Sequence, residues 1–281
     1  TNPTGNVVTD EEVTRLREQA NSQGVPLIID NAYGTPFPNI IFSEARPLWD
    51  ENVILCLSLS KFGLPTLRTG IVVAHREIIR VVTRMTSVLS LAPGSLGPAL
   101  AYALVKSGEI TRVSTEIIQP FYRKKADRAL KRLREELGDD IPMRIHKPEG
   151  ALFLWLWFEG LPISSRELYQ RLKKKGVLVV SGHYFFPGME GDDWSHKDQC
   201  IRVTYAQDDM VVERGISLIA EEIRQLYSRI LIDGLLIKTK FSSDAYCLSP
   251  YLPPDFTDPA NRFVQLFQFQ RLEFFRQRVG K

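Results

Sequence analysis

Cysteine is scarce in this sequence. The 281 residues include three cysteines, Cys56, Cys200 and Cys247, at wide spacing. They form no CxxC motif, and no pair of histidines stands at the spacing of metal ligands. The sequence therefore supports neither a disulfide framework nor a structural zinc site, and we predict no metal ligands. We expect the protein to work in a reducing compartment, the cytoplasm.

Long apolar runs and an imbalance of charge are also missing. The longest apolar run is the eight residues 151–158, whereas a membrane-spanning helix needs roughly 20. Lysine and arginine total 36 against 33 acidic residues, and 44% of the chain is hydrophobic. These values predict a globular protein with one large domain or two medium ones, and with no membrane partner.

The composition changes near residue 229. Residues 229–281 hold eight basic and five acidic residues, and nine phenylalanines and tyrosines. A basic, aromatic segment could bind single-stranded nucleic acid, but these residues form no known motif, and we predict no nucleic-acid partner. We expect an atypical tail outside the catalytic fold, so that truncation after Ser228 would keep activity and thermal stability.

Residues before the tail alternate between strand and helix patterns. Thr9 and Glu12 form a capping box that predicts a helix over 10–23. Apolar runs then predict buried strands, helices fill the gaps, and the result is a mixed or parallel sheet covered on both faces. The predicted strands cover residues 25–29, 53–59 and 70–74. Such sheets place their chemistry at the carboxyl ends of the strands, where Asp30 and Lys61 lie.

A second, smaller α+β domain is predicted after residue 114. From about residue 94 we expect the chain to be mostly helical as far as Gly138, and Ser164 with Glu167 predicts a later helix cap. A last helix is expected over 210–228. The strands expected in this part are 151–157, 177–180 and 201–205. We thus divide the chain into 1–114, 115–228 and the tail 229–281.

Two residues at the ends of the first strands could carry chemistry. Lys61 directly follows a buried strand, where an amine can be held partly desolvated and react with an aldehyde. The carboxylate of Asp30 could keep a pyridine nitrogen protonated. Tyr33, three residues later, could hydrogen-bond a ring oxygen. Taken singly, a loop lysine is usually solvated, and an aspartate before Asn31 is ordinary turn chemistry.

Two arginines are candidates for anion binding. Arg68, with Ser58 and Ser60, could hold a phosphate through charge-assisted and hydroxyl hydrogen bonds. Arg202 alternates with apolar residues on a predicted strand, which places its guanidinium on the less apolar face. A substrate carboxylate or an internal acid could equally be its partner. The aromatic residues of 153–157 are interpreted as core.

Several motifs in this order resemble a known family. The segments NPTGNVV at 2–8, DNAYG at 30–34 and SLSK at 58–61, together with Arg68, resemble the class I/II aminotransferases of fold type I, which use pyridoxal 5'-phosphate. Three later motifs extend the resemblance to residue 228. They are KPEGALFLWLWFEGLPI at 147–163, GVLVVSGHYFFPG at 176–188 and HKDQCIRVTY at 196–205.

The resemblance implies a fold, an activity and a role for each candidate residue. The fold would be the C-terminal part of the large mixed-sheet domain followed by the small α+β domain. The enzyme would move an amino group between valine or alanine and pyruvate or 2-oxoisovalerate, as a homodimer in its full-length form. Lys61 would bind the cofactor covalently, and Asp30 would pair with its pyridine nitrogen. The ring hydroxyl would be bound by Asn2 and Tyr33, and the phosphate by Ser58, Ser60 and Arg68. Arg202 would bind the substrate carboxylate.

Three alternatives remain open at this stage. A pyridoxal-phosphate-dependent C–S β-lyase would keep every cofactor contact. An aminotransferase-like domain of a transcription regulator would keep the fold without the activity. Because the sequence opens at Thr1 without methionine or a signal peptide, we also expect an N-terminally truncated chain that lacks the Gly-rich phosphate loop. Such a chain alone would not transaminate.

Overall fold

A mixed three-stranded sheet forms the first half of the fold. The structure is a computed structural model, and it describes residues 1–46, 48–91 and 94–232. In the sheet β1 (Leu27–Asn31) pairs in parallel with β2 (Val53–Ser58), and β2 pairs antiparallel with β3 (Gly70–Val73). Helix α1 (Asp10–Ser22) precedes it. This arrangement confirms the α/β class and the mixed sheet.

The capping box of α1 forms as predicted. The hydroxyl of Thr9 accepts a hydrogen bond from the backbone N–H of Glu12 at 3.2 Å, and the Glu12 carboxylate accepts from the backbone N–H of Thr9 at 2.8 Å. Two of the N–H groups that a helix start leaves without partners are thereby satisfied. The helix therefore begins at Asp10, where the sequence predicts it.

The position and burial of β1 differ from the prediction. The strand runs from Leu27 to Asn31 rather than over 25–29, and none of its residues is fully buried. Ile28 remains 39% exposed. Pro26 has no N–H to donate to a ladder, and among the described residues β1 has a partner on one side only, so it is an edge strand. By contrast, β2 lies in the middle of the described sheet close to its predicted bounds, but it alternates buried residues with partly exposed ones and is not buried throughout.

Helices occupy most of the described chain from residue 76 to 137, and those after residue 94 confirm the predicted helical stretch. They are α2 (Arg76–Ser90), α3 (Leu96–Ser107), α4 (Glu109–Val113), a π-helical turn (Ser114–Ile118) and α5 (Gln119–Leu137). Helix α5 ends at Gly138, whose φ of 60° is readily available to glycine. The predicted stop at this residue is confirmed.

An antiparallel four-stranded sheet follows. Its spatial order is β4-β5-β7-β6. The strands are β4 (Met143–Ile145), β5 (Phe153–Phe158), β6 (Val180–Ser181) and β7 (Cys200–Thr204), and the helices are α6 (Ser165–Lys174) and α7 (Asp209–Ile232). The predicted strand over 177–180 is wrong in its bounds, because the N–H of Val177 still bonds to the carbonyl of Leu172 in the turn that ends α6.

The two faces of this second sheet differ in character. One face carries Leu154, Leu156 and Ile201, which pack with residues of α5, α6 and α7 in the main hydrophobic core. The other face carries Trp155 and Arg202, which are paired directly across β5 and β7 and so point to the same side. This second face lies toward the candidate site.

No helix within the described ranges combines the length and the apolar character that crossing a membrane requires. The predicted tail lies outside the described residues from 233 onward. The predicted division at residues 114 and 228 stays a prediction.

Backbone contacts join the segment after β1 to the second sheet. The N–H of Ala151 donates to the carbonyl of Ile40 at 2.9 Å, and the N–H of Phe42 donates to the carbonyl of Glu149 at 2.6 Å. Gly150 lies between these bonds. A Cβ added there would stand 2.7 Å from the carbonyl oxygen of Ile40 and 3.2 Å from the Cα of Ile41.

We expect Gly150→Ala to destabilise the protein. The added methyl group would collide with backbone that cannot rotate away, and overpacking of this kind costs about 1–3 kcal/mol. Denaturant unfolding measures the change. The control is Gly191→Ala, because a Cβ at Gly191 meets nothing within 4 Å. Equal stability of the two variants would show that the segment around Ile40 can move away from Gly150 without a loss of stability.

Candidate functional site

The first sheet brings two of the predicted residues to one edge. Asp30 of β1 pairs in register with Cys56 of β2, and both strands run in the same direction. Asp30 therefore lies near the carboxyl end of β1, and Lys61 follows the carboxyl end of β2. After β1 the chain turns through Asn31, whose side-chain amide donates to the carbonyl of Thr35. This turn presents Tyr33.

Lys61 and Tyr33 face each other across this edge. The Nζ of Lys61 lies 5.7 Å from the centroid of the Tyr33 ring. Lys61 is half-buried, and within the described ranges no carboxylate forms an ion pair with it. An amine that is partly desolvated and free of an ion pair can act as a nucleophile or a base.

Tyr33 is held as a neutral phenol. Burial raises the pKa of Tyr33, the positive charge of Arg202 opposes that rise, and the negative charge of Asp30 adds to it. Burial also raises the pKa of the Cys56 thiol, with a smaller contribution from Asp30. The field of Asp30 thus reaches both the sheet and the turn that presents Tyr33.

The proposed phosphate residues are only partly assembled. Ser58 accepts a hydrogen bond from the backbone N–H of Ser60 at 3.2 Å. Ser58 pairs with Gly70 across β2 and β3, and the N–H of Leu59 bonds to the carbonyl of Thr69, the residue after Arg68. The Arg68 side chain is exposed, and among the described residues it makes no hydrogen bond to either serine.

Arg202 extends from β7 into an aromatic setting. Its guanidinium lies 4.7 Å from the ring centroid of Phe153 and 5.3 Å from that of Phe185. One of its N–H groups donates to the side-chain oxygen of Asn2 at 2.5 Å. Burial lowers the pKa of Arg202, while the nearby Tyr33 opposes that change.

Two groupings result from this geometry. Asn2, Tyr33, Lys61 and Arg202 are linked by direct contacts or by Phe153, whose ring meets that of Tyr33 edge-on at 6.0 Å. Asp30 acts on Tyr33 through its charge. Ser58 and Ser60 are linked by a hydrogen bond, and Arg68 lies in the same β2–β3 connection with its side chain exposed. The role of each residue stays a prediction.

Phe153 and Phe185 are contacts of the site that the sequence prediction did not include. Phe153 was interpreted as core, and at 5% exposure it is indeed buried, but its ring also contacts Arg202. The register of β5 and β7 is the missing signal, because pairing Trp155 with Arg202 puts the aromatic row and the arginine on one face. No periodicity predicts Phe185, which lies in a short 3-10 turn (Gly182–Phe185).

Three histidines are kept neutral by the fold. Burial lowers the pKa of His146, His183 and His196 below the ordinary value of 6.5. For His196 burial is the sole cause, since the ring lies between Trp157 and Trp194 at 4.7 and 4.9 Å. In the unfolded chain these histidines would bind protons near pH 6.5, whereas in the folded protein they bind them only at lower pH.

We therefore expect stability to fall as the pH drops below 6.5 and to be fully present above it, because the unfolded state then binds more protons than the folded state. His196→Phe keeps the aromatic packing without the titration. It should reduce the slope of Tm against pH between about pH 5 and 6.5. An unchanged slope in this variant would contradict the assignment. Carboxylates with lowered pKa, such as Glu149, act at lower pH.

Among residues 1–46, 48–91 and 94–232, no group of three or more His, Cys, Asp or Glu side chains could hold a metal ion.

Comparisons with known proteins identify the family of the chain. The model of the family "Aminotransferase class I and II" matches residues 1–219. The valine–pyruvate aminotransferase of Escherichia coli (strain K12) is 50% identical over 228 residues, which are 81% of this chain and 54% of that protein. The chain thus spans about half the length of this curated relative.

Solved structures are similar as well. The valine–pyruvate aminotransferase of Salmonella typhimurium LT2 has a TM-score of 0.76 and 50% identity, over 81% of this chain and 58% of that one. A putative amino-acid aminotransferase of Psychrobacter arcticum 273-4 has a TM-score of 0.78 and 54% identity, over 81% of this chain and 52% of that one. The described fold is therefore that of these proteins over the matched region.

Proposed function

Because this chain belongs to the class I and II aminotransferases, we propose that its protein moves an amino group between an apolar L-amino acid, valine or alanine, and a 2-oxo acid, pyruvate or 2-oxoisovalerate. One observation carries the proposal. The amine of Lys61 is half-buried, faces Tyr33 and lies at the strand edge that Asp30 shares. The identity with an aminotransferase favours transamination over the β-lyase and the regulator.

Pyridoxal 5'-phosphate is the cofactor of this family, and the donor set fits it. An aldehyde needs a free amine, which Lys61 offers. A protonated pyridine nitrogen needs a carboxylate, which Asp30 offers, and a ring hydroxyl needs a donor such as the phenol of Tyr33 or the amide of Asn2. A phosphate needs hydroxyls and a guanidinium. Those groups are Ser58, Ser60 and Arg68 on the β2–β3 turn.

The chemistry of the reaction divides between cofactor and protein. When bound, the cofactor supplies the aldehyde that accepts the amino group and the ring that stabilises negative charge on the substrate's Cα. Lys61 would take the proton from that Cα through Nζ and deliver it to the carbon that carried the cofactor's aldehyde, and the second half-reaction would run this transfer in reverse and protonate the Cα of the second substrate. The phenol of Tyr33, whose pKa is raised by burial, can donate a hydrogen bond at neutral pH.

Arg202 would bind the substrate carboxylate. Its guanidinium can donate two parallel hydrogen bonds to two oxygens, which fixes the orientation of the Cα–H bond as well as the affinity. Asn2 occupies one N–H of the guanidinium and so limits its rotation. The amino acid that gives up its amino group becomes a 2-oxo acid, and the 2-oxo acid that receives the group becomes an amino acid. The two substrates thus exchange oxidation levels, and no other oxidant is required.

The direct test is amino transfer by the protein that contains this chain. Incubation with pyridoxal 5'-phosphate, ¹⁵N-valine and pyruvate should yield ¹⁵N-alanine and 2-oxoisovalerate in equal amounts. A cysteine conjugate supplied without an oxo acid should give no pyruvate. Pyruvate from the conjugate without alanine from the pair would favour the β-lyase, and neither product would favour a non-enzymatic domain or an inactive fragment.

The proposal also covers the setting of the enzyme. We place the whole protein in the cytoplasm as a homodimer, on the resemblance to its family. Light scattering of the purified protein at several concentrations measures the mass. A monomer at all concentrations would contradict the homodimer.

A further inference from the structure

Arg202 lacks the partner that a half-buried cation normally has. Within the described ranges no aspartate or glutamate forms an ion pair with it, and its one hydrogen bond to a side chain goes to the neutral amide of Asn2. Buried and partly buried charges are usually paired. The faces of two aromatic rings take that place here, one from the sheet and one from the Gly182–Phe185 turn.

We propose that Phe185 is a positioning residue that holds the Arg202 guanidinium against Phe153 in the orientation that receives a substrate carboxylate. This inference rests on the proposed function, in which Arg202 binds that carboxylate. The three groups form a clamp, with ring centroids 4.7 Å (Phe153) and 5.3 Å (Phe185) from the guanidinium carbon. We call these three residues the aromatic clamp.

The aromatic clamp suits a carboxylate whose two oxygens lie in the plane of the guanidinium. Aromatic faces attract the guanidinium without using its N–H donors, so the fork stays available for the two oxygens of a carboxylate. An internal acid in this position would compete with the substrate. Two rings together also restrict rotation about the last bonds of the arginine side chain, which lowers the ordering cost when the substrate binds.

The turn that carries Phe185 is fixed by its own contacts. At Gly182, a Cβ would lie 2.5 Å from the carbonyl oxygen of Cys200, so glycine allows the turn to lie directly on β7. The Phe185 ring meets that of Trp155 edge-on at 5.4 Å. In the same turn His183 bonds to the Ser181 hydroxyl at 2.7 Å. Phe185 therefore has little freedom to leave Arg202.

Phe186 provides a matched control beside it. Its ring packs against Trp194 at 5.4 Å, His196 at 6.0 Å and Trp155 at 6.3 Å, whereas the rings that face the Arg202 guanidinium are those of Phe153 and Phe185. Both phenylalanines are partly buried in the same irregular segment. Phe185→Leu and Phe186→Leu thus remove equal amounts of aromatic surface, and only the first removes a face from the arginine.

The experiment measures carboxylate binding and kinetics in the whole protein loaded with pyridoxal 5'-phosphate. The probe is 3-methylbutanoate, an apolar monocarboxylate, titrated by calorimetry. We expect Phe185→Leu to raise its Kd and the KM for valine about tenfold, as for loss of a desolvated cation–π contact, with kcat and the cofactor absorbance nearly unchanged. Phe185→Tyr should restore binding to within about twofold of the original protein, because tyrosine keeps the ring face.

The outcomes distinguish a failure of the aromatic clamp from a failure of the proposed aminotransferase function. Unchanged Kd in Phe185→Leu, or an equal loss in Phe186→Leu, overturns the aromatic clamp even if the protein transaminates. A selective loss in Phe185→Leu supports the clamp even if the protein proves not to transaminate, in which case the proposed function alone fails. If the original protein does not bind 3-methylbutanoate, the carboxylate role of Arg202 fails and the clamp fails with it. Thermal melting of each variant separates these losses from misfolding.

Discussion

Lys61→Ala is expected to abolish transamination. The variant loses both the amine that holds the cofactor covalently and the base that moves the Cα proton, and a positioned base alone contributes about 10²–10⁴ in rate. We expect kcat for valine with pyruvate to fall by at least about 10³-fold. Borohydride reduction of the original protein should leave a cofactor adduct on the peptide that contains Lys61, and the variant should carry none.

Two further variants distinguish chemistry from charge. Lys61→Arg keeps a cation near Tyr33 but cannot act as a nucleophile, since its guanidinium does not deprotonate in proteins, and we expect it to be as inactive as the alanine variant. Lys106 makes a similar contact with an aromatic ring, 5.5 Å from the Tyr102 centroid on α3. Lys106→Ala should keep full activity. A cofactor adduct on any other lysine would refute the assignment of Lys61.

Local signals predicted the parts of the fold that depend on neighbouring residues. The helix start at Thr9 and the helix stop at Gly138 were correct because a cap is decided within a few residues. The position of the central strand β2 was predicted to within one residue because an apolar run begins at Val53. The burial of β1 was wrong, because its apolar residues do not show whether another strand lies beside them.

The residues of the candidate site also differ in whether local sequence could predict them. Asp30 near the end of β1 and Lys61 after β2 could be predicted to lie at one edge, because the carboxyl ends of parallel neighbours meet there. The contact between Arg202 and Phe153 depends on the register of β5 against β7 and could not be read from spacing. Phe185 lies in a turn without periodicity. Contacts made between distant segments therefore required the structure.

Arg202→Lys is expected to weaken substrate binding while leaving the cofactor site intact. An ammonium group is a point charge that cannot make two parallel hydrogen bonds to a carboxylate and does not stack on aromatic rings as a guanidinium does. We expect KM for valine and for pyruvate to rise about 10- to 100-fold, the equivalent of about 1.4–2.7 kcal/mol. The absorbance of the bound cofactor should change little, because Lys61 and Asp30 are unaltered. Steady-state kinetics and a visible spectrum measure both effects.

The control for this variant lies on the same sheet. Arg144 on β4 stands over the Trp157 ring, with its guanidinium carbon 5.4 Å from the ring centroid, and pairs with Glu159 at 3.4 Å. Arg144→Lys therefore removes the same type of aromatic contact from an arginine that already has a carboxylate partner. Its KM values should stay within about twofold of the original, since exposed ion pairs contribute little. Unchanged KM in Arg202→Lys would show that the guanidinium serves packing between Phe153 and Phe185 rather than the substrate. Asn2 and the two rings would still surround residue 202 in that variant. An unchanged KM would therefore rule out the proposed role of Arg202 in substrate binding without contradicting the fold.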